Sequence, residues 1–223
     1  MSTTCTKSGR TSLDYRPQSR REEIVNSALH ALGVILALSG GFVLVREAWR
    51  GQDALKLVSA LVFASTMVIL YATSTIYHAL KSSATKDRLQ RIDRMAITLL
   101  IAGTYTPVAL LMVRGSLGVF LCLCEWVLAL LSLVLMVRYP QDYPRRSVWV
   151  YQGMGWLTAL GATPLFHQTP NPILAALAFG GVCYIVGVLF LVRDRVKYFH
   201  AIFHVFAMLG TTFQFWAISR YMG

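Results

Sequence analysis

The sequence predicts an all-α integral membrane protein, a bundle of seven transmembrane helices with a cytoplasmic N-terminus and a C-terminus outside. Three observations lead to this fold class: composition, the spacing of apolar runs, and the placement of basic residues. Of the 223 residues, 56% are hydrophobic and only 14% are charged, and the mean hydropathy is +0.55. Average soluble domains carry roughly 25% charged residues, so this chain has too few polar groups to cover a water-soluble core.

Seven apolar runs have the length of a transmembrane helix, which needs about 20 mostly apolar residues. In order they are Asn26–Val45, Ala54–Leu80, Met95–Val113, Leu117–Val137, Ser147–Phe166, Pro172–Val192 and Phe199–Ser219. The connections between them are short. We therefore expect residues 23–223 to form a single transmembrane domain, preceded by a polar and disordered cytoplasmic tail over residues 1–22.

Basic residues predict the orientation. Sixteen of the 21 Lys and Arg residues fall in the N-terminal tail and in the second, fourth and sixth connections, and five fall on the other side. Because cytoplasmic segments carry an excess of Lys and Arg, the N-terminus is predicted to be inside. The net charge of +11 then reflects topology and contact with anionic lipid. A nucleic-acid partner is not expected, since no basic stripe is interleaved with aromatic residues.

Polar and ionisable residues gather at the predicted cytoplasmic end of the helices. Ionisable residues within membrane spans are costly and indicate a functional site. Seven polar or ionisable residues fall at similar depth at this end: Glu23, Asn26, His30, His78, Asp93, His200 and His204.

Three of the histidines predict a Zn²⁺ site. His200 and His204 are four residues apart, which places both rings on one helix face. With His78 they provide three imidazoles and leave a fourth position open, as in catalytic zinc sites. Asp93 is the candidate catalytic residue, orienting water or transferring a proton, and Ser74 lies one turn before His78 and could support the site.

The sequence indicates supporting roles for three further polar residues and leaves the role of a fourth undecided. Glu23, Asn26 and His30 are predicted to support the site. His30 is interpreted as a hydrogen-bonding residue of helix packing rather than a ligand, and Glu23 also favours the N-terminus of its helix through the dipole. Glu125 lies within the fourth run without an identifiable partner. It could be protonated, paired across the bundle or part of a separate path.

Several motifs share their spacing with a known family. They are Glu23-x-x-Asn26 with His30 and Gly33, Ser74-x-x-x-His78, Asp93 with Gly103-Thr-Tyr-Thr-Pro107, and His200-x-x-x-His204. At these residues the chain resembles the hemolysin III family, a branch of the progestin and adipoQ receptor superfamily that includes the adiponectin receptors. The resemblance implies a seven-helix bundle with zinc on His78, His200 and His204, and with Ser74 and Asp93 behind them.

The resemblance also implies candidate functions. Eukaryotic relatives are linked to hydrolysis of the lipid amide ceramide, and bacterial members are named for haemolysis and associated with membrane lipid homeostasis. We expect a multi-pass protein of the cell membrane that acts on membrane lipid as a zinc-dependent amide or ester hydrolase, or as a sensor built on the same site. The alternative is a pore-forming, cytolytic or channel-like protein in which the zinc is structural.

Overall fold

Helices make up almost all of the described part of the chain. The computed structural model describes residues 16–81, 83–139 and 143–223, and these contain no strand. The helices are α1 (Arg20–Arg50), α2 (Ala54–Ala79), α3 (Ala84–Pro107), α4 (Gly115–Arg138), α5 (Tyr143–Trp156), α6 (Ala162–Gln168), α7 (Asn171–Leu191) and α8 (Phe199–Met222). A π-helical turn, Val108–Val113, continues α3, and a 3₁₀ turn, Leu157–Gly161, joins α5 to α6.

Among the described residues, six helices are long and apolar enough to cross a membrane. They are α1, α2, α3 with its π-helical turn, α4, α7 and α8. Large apolar side chains such as those of Leu36, Phe42 and Val134 are exposed on their outer faces. In a bilayer such faces contact lipid, so their exposure carries no cost.

The predicted fifth run, Ser147–Phe166, is not one continuous α-helix. It falls on α5, the 3₁₀ turn and α6. Gly153, Gly155, Gly161 and Pro164 lie within it. Glycine weakens a helix by its conformational freedom, and proline removes a backbone donor, so the chain changes helix type here.

The first helix begins earlier than its apolar run predicted. Ser19 caps α1 and forms a capping box with Glu22, in which each side chain accepts a hydrogen bond from the other residue's backbone. Residues 1–15 of the predicted disordered tail lie outside the described residues. Residues 16–22 are held by the cap and by side-chain hydrogen bonds to the α7–α8 connection, and the division into a tail and one domain stays a prediction.

Helix packing leaves an internal space in one half of the bundle. α1 packs along α2, α2 along α3, and α7 along α8, with α8 also contacting α1. α5 contacts α3 and α4 but meets α7 at only a few residues. We call the end at which α1, α3 and α8 begin the histidine end of the bundle. The space between α3, α5, α7 and α8 opens from that end.

Candidate metal centre

Four histidines from three helices meet at the histidine end. His30 comes from α1, His78 from the last turn of α2, and His200 and His204 from the first turns of α8. The ring centroid of His204 lies 4.1 Å from that of His30, 4.4 Å from His200 and 5.0 Å from His78. His204 is therefore the centre of the cluster.

The three most buried histidines are His30, His78 and His204. Each offers a ring nitrogen, and these nitrogens all lie within 4.8 Å of one another. The Nε2 atoms of His78 and His204 are 3.1 Å apart. His200 lies at the rim of this group, with 17% of its side chain exposed.

This grouping differs in one member from the predicted ligands, which were His78, His200 and His204. The sequence interpretation took His30 as a hydrogen-bonding packing residue; among the described residues, neither of its ring nitrogens has a hydrogen-bond partner. Its ring instead faces His204 edge-on. His30 is thus a further candidate ligand, and the role of His200 as a ligand stays a prediction.

Two carboxylates hold two of these rings from behind. The Nδ1 atom of His78 lies 2.7 Å from Glu23 Oε2, and Nδ1 of His200 lies 3.2 Å from Asp194 Oδ2. A carboxylate bonded to Nδ1 leaves Nε2 to face the centre of the cluster. Histidines that bind metals commonly have this arrangement, because the carboxylate orients the ring and raises its basicity.

The two carboxylates are themselves held in place. Glu23 Oε1 accepts a hydrogen bond from Lys86 Nζ at 2.6 Å, so α1 and α3 are joined at the site. Asp194 Oδ1 accepts from Gln18 Nε2 at 2.8 Å. Sequence reasoning missed Asp194, which is only 4% exposed. The one sequence signal for it was that a single acidic residue stands among the basic residues of the α7–α8 connection.

An ion pair closes this end of the bundle. Glu22 pairs with Arg16 and accepts a hydrogen bond at 2.8 Å from the backbone of Tyr198. The hydrogen bond from Arg16 to the Glu22 carboxylate raises the pKa of the Arg16 guanidinium, which lies outside the spans. Tyr198 has a left-handed backbone with φ 63°, and the Glu22 contact holds it in this strained conformation. The N-terminal segment thus fixes the start of α8.

Asp93, Ser74 and Asn26 lie around the cluster. Asp93 is half-buried, lies beside Ser74 and interacts electrostatically with His200. The Ser74 hydroxyl is buried and interacts with Asp93, and both amide atoms of Asn26 are buried without a hydrogen-bond partner among the described residues. Buried polar atoms usually have partners, so these atoms have capacity for a ligand. The catalytic role of Asp93 and the supporting role of Ser74 stay predictions.

A large cavity extends from the histidines into the bundle. Its volume is about 1200 Å³, and its lining includes His30, Asp93, His200 and His204. It runs between α3, α7 and α8 as far as Leu165 on α6. Its lining also reaches Trp156 and Phe166, which are 63% and 71% exposed on the outer, apolar face. The cavity therefore borders both the histidine end and the membrane-facing side.

Glu125 lies away from this cavity. Its carboxyl group is fully buried on α4, and neither oxygen has a hydrogen-bond partner among the described residues. The sequence likewise indicates no partner for it. The histidine site does not use this residue.

Comparison with known proteins agrees with these features. Residues 18–215 match the model of a family described as haemolysin-III related. The chain is 35% identical over 201 residues to the Hemolysin-3 homolog of Bacillus subtilis, and these residues cover 90% of this chain and 94% of the relative. It is 31% identical to Hemolysin-3 of Bacillus cereus, covering 91% and 92% of the two chains.

A human protein is also similar. The monocyte to macrophage differentiation factor of Homo sapiens is 28% identical over 216 residues, covering 93% of this chain and 87% of the relative. No solved structure gives a significant match. The resemblance drawn from the sequence motifs is confirmed: this chain is a multi-pass membrane protein that belongs to the haemolysin III-related family.

Proposed function

We propose that this protein is a zinc-dependent membrane hydrolase that cleaves an amide or ester bond of a membrane lipid. One observation carries the proposal: a cluster of histidines backed by carboxylates lines the end of a large cavity within a membrane bundle. Such a cavity suits the chain of a lipid, and the cluster lies where the bond next to the headgroup would be.

The geometry of the histidines supports a zinc ion. Tetrahedral zinc binds imidazole nitrogens at roughly 2.0–2.1 Å, which sets two ligand nitrogens about 3.3 Å apart. The Nε2 atoms of His78 and His204 are 3.1 Å apart, close to this spacing. The ring nitrogens of His30 have no hydrogen-bond partner within the described ranges, and a carboxylate lies behind His200. Either residue is therefore suitable as the third ligand.

The residues around the cluster supply the remaining chemistry. When bound, zinc would act as a Lewis acid on the lipid carbonyl and on water. Asp93 would take a proton as the oxygen of water adds to the carbonyl carbon, and would return it to the nitrogen or oxygen that leaves when the bond breaks. Glu23 would keep the ring of His78 oriented throughout. Ser74, buried beside Asp93, would hold Asp93 or the substrate.

The cavity supports a lipid rather than a soluble substrate. Apolar residues such as Leu100, Val108 and Leu177 line most of its length. It borders the exposed face near Trp156 and Phe166, so an acyl chain could enter from the bilayer. Basic residues including Lys86 line the histidine end and favour an anionic headgroup or product.

We also infer that residues 143–168 form a seventh crossing of the membrane. Together α5, the 3₁₀ turn and α6 are a nearly continuous helical stretch, and exposed apolar residues such as Trp149 and Leu160 lie along it. A seventh crossing gives opposite termini, with the N-terminus and the histidines in the cytoplasm by the positive-inside rule. Residues 23–223 would then be one domain of the cell membrane.

The experiment is turnover of a lipid amide and a lipid ester by the purified protein in lipid nanodiscs. His204→Ala should abolish turnover while the protein stays folded, because it removes the central histidine. His167→Ala is the matched control, since His167 is exposed on α6 and does not line the cavity. Full turnover by His204→Ala, or no turnover by zinc-loaded wild type on any amide or ester, would contradict the proposal.

A second candidate is a cytolytic, pore-forming protein with a structural zinc. The name of the Bacillus cereus relative, Hemolysin-3, favours it. This candidate predicts leakage of a dye from liposomes containing the protein, at the same rate in wild type and His204→Ala. The hydrolase predicts turnover without such leakage.

A further inference from the structure

The cavity has a second polar region, far from the histidines. We call Tyr184, Thr211 and Gln214 the far polar cluster, and all three line the cavity. Thr211 and Gln214 follow His204 by seven and ten residues on α8. At a rise of about 1.5 Å per residue they lie about 10 and 15 Å further along the helix axis. A ligand that fills the cavity from the histidines would meet this cluster partway along its chain.

The hydrogen bonds of the cluster leave specific groups available. Thr211 donates to the carbonyl of Ala207 at 3.0 Å, so in the 2.9 Å contact between Tyr184 and Thr211 it is Tyr184 that donates. Tyr71 also lies beside this pair, with its hydroxyl hydrogen-bonded to Thr211. Among the described residues no hydrogen bond uses the lone pairs of Tyr184 Oη, which remain as acceptors. Gln214 uses one N–H for the carbonyl of Leu177 at 3.2 Å, which leaves its second N–H. Polar groups left without partners in apolar surroundings cost free energy.

Helix packing holds these groups in position. The ring of Tyr184 rests on Gly210, where a Cβ atom would come within 2.8 Å of the ring. The Gln214 amide rests on Gly180 in the same way, at 2.8 Å. Both side chains are thus fixed by close α7–α8 packing. Preorganised groups bind with less loss of side-chain freedom.

The surroundings identify the kind of group that fits. Every charged residue that lines the cavity, among the described residues, lies at the histidine end, so the far polar cluster does not suit a charged group. The far polar cluster offers the lone pairs of Tyr184 Oη as acceptors and one N–H of Gln214 as a donor. A hydroxyl group is complementary, since it both donates and accepts.

We propose that Tyr184 and Gln214 bind a hydroxyl group carried partway along the acyl chain of the lipid, so that the preferred lipid class has a hydroxylated chain. The hydroxyl donates to Tyr184 Oη and accepts from the free Gln214 N–H. This inference rests on the proposed function, because it places the chain of that substrate in the same cavity. It adds a determinant of specificity that lies remote from the histidines.

Competition binding tests the proposal. A fluorescent fatty acid is displaced from the purified protein by three acids: a saturated fatty acid, the same acid with a mid-chain hydroxyl, and the same acid with a hydroxyl next to the carboxyl group. We expect the mid-chain hydroxyl to strengthen binding about tenfold, as expected for one hydrogen bond to a buried group. The hydroxyl next to the carboxyl group lies at the histidine end, so whatever it adds to binding should be the same in wild type and in variants of the far polar cluster.

Two variants locate the effect. Tyr184→Phe and Gln214→Met should each lose the preference for the mid-chain hydroxyl while binding the plain acid as wild type does, which also checks their folding. Should one variant fail to bind the plain acid, the other decides. Tyr221→Phe is the control, since its hydroxyl bonds Leu111 and does not line the cavity, and it should keep the preference.

The proposal is overturned if wild type binds the plain and mid-chain hydroxylated acids equally, if it binds neither, or if both variants keep the preference. The assay measures binding and not turnover. A protein that prefers the hydroxylated acid but hydrolyses nothing would therefore overturn the proposed function alone. Turnover of lipids without that preference would overturn only this inference.

Discussion

Replacing Glu23 with glutamine removes the carboxylate that holds His78 and changes little else. Glu23 Oε2 lies 2.7 Å from His78 Nδ1, and Oε1 lies 2.6 Å from Lys86 Nζ. Both neighbours donate, and both need an acceptor. Glutamine keeps the shape but puts an NH₂ group in place of one oxygen, so it can accept from only one of them. If the NH₂ group faces His78, the ring loses its acceptor; if the amide oxygen faces His78, this neutral oxygen accepts more weakly than the carboxylate did. In both cases the His78 ring is held less firmly.

The expected effect follows from the role of such carboxylates. Loss of a group that orients a metal-binding histidine lowers metal affinity about 10- to 100-fold, or about 1.4–2.8 kcal/mol. We expect Glu23→Gln to bind zinc more weakly by this amount. The assay is competition for zinc with a chromogenic chelator of known affinity, in detergent solution, beside circular dichroism to confirm helix content.

Glu47→Gln provides the control on the same helix. Glu47 pairs with Arg46 and Arg50 near the end of α1, and 44% of its side chain is exposed, so its loss should leave zinc affinity unchanged. Wild-type zinc affinity in a folded Glu23→Gln protein would refute the reasoning. Equal weakening by Glu47→Gln would show that the effect is not specific to the His78 contact.

The remaining predictions concern two acidic residues and the metal itself. Asp93→Asn should lower lipid turnover about 10²-fold or more with zinc content unchanged, and wild-type turnover would exclude a role in proton transfer. Asp194→Asn should weaken zinc binding about tenfold, because the bond from Asp194 to His200 orients a candidate ligand. The same competition assay measures this, and unchanged affinity would argue against His200 as a ligand. Stripping zinc with a chelator should lower the free energy of unfolding by about 4 kcal/mol relative to protein with free zinc at about a thousandfold above Kd. An unchanged denaturant midpoint would argue against a site that binds only the folded state.

Composition and spacing predicted the main features of the fold and the site. Long apolar runs identify spanning helices because the bilayer fixes their length, and six of the seven appear as helices suited to span. The meeting of His78, His200 and His204 followed from alternating helix directions and from the i, i+4 spacing on α8. Neither feature depends on details of side-chain packing, which is why the sequence alone could indicate them.

Other features depended on packing that sequence periodicity does not record. The early start of α1 accompanies the contacts of residues 16–22 with the α7–α8 connection, which is 176 residues away in the chain. The position of His30 against His204 depends on how α1 sits beside α8. Asp194 is buried only because Gln18 and His200 meet it. The break near Leu157 reflects several glycines whose joint effect a hydropathy run does not show.

Zinc content per chain is the most direct test that the histidine cluster is a metal centre. The protein would be purified without added metal, and zinc measured by inductively coupled plasma mass spectrometry in wild type, in His30→Ala, His78→Ala, His200→Ala and His204→Ala, and in the His167→Ala control. We expect about one zinc per chain in wild type and control. His78→Ala and His204→Ala should lose that zinc, and the third ligand is the residue, His30 or His200, whose alanine variant also loses it. Wild-type zinc content in both His78→Ala and His204→Ala would contradict a metal centre at the histidine cluster.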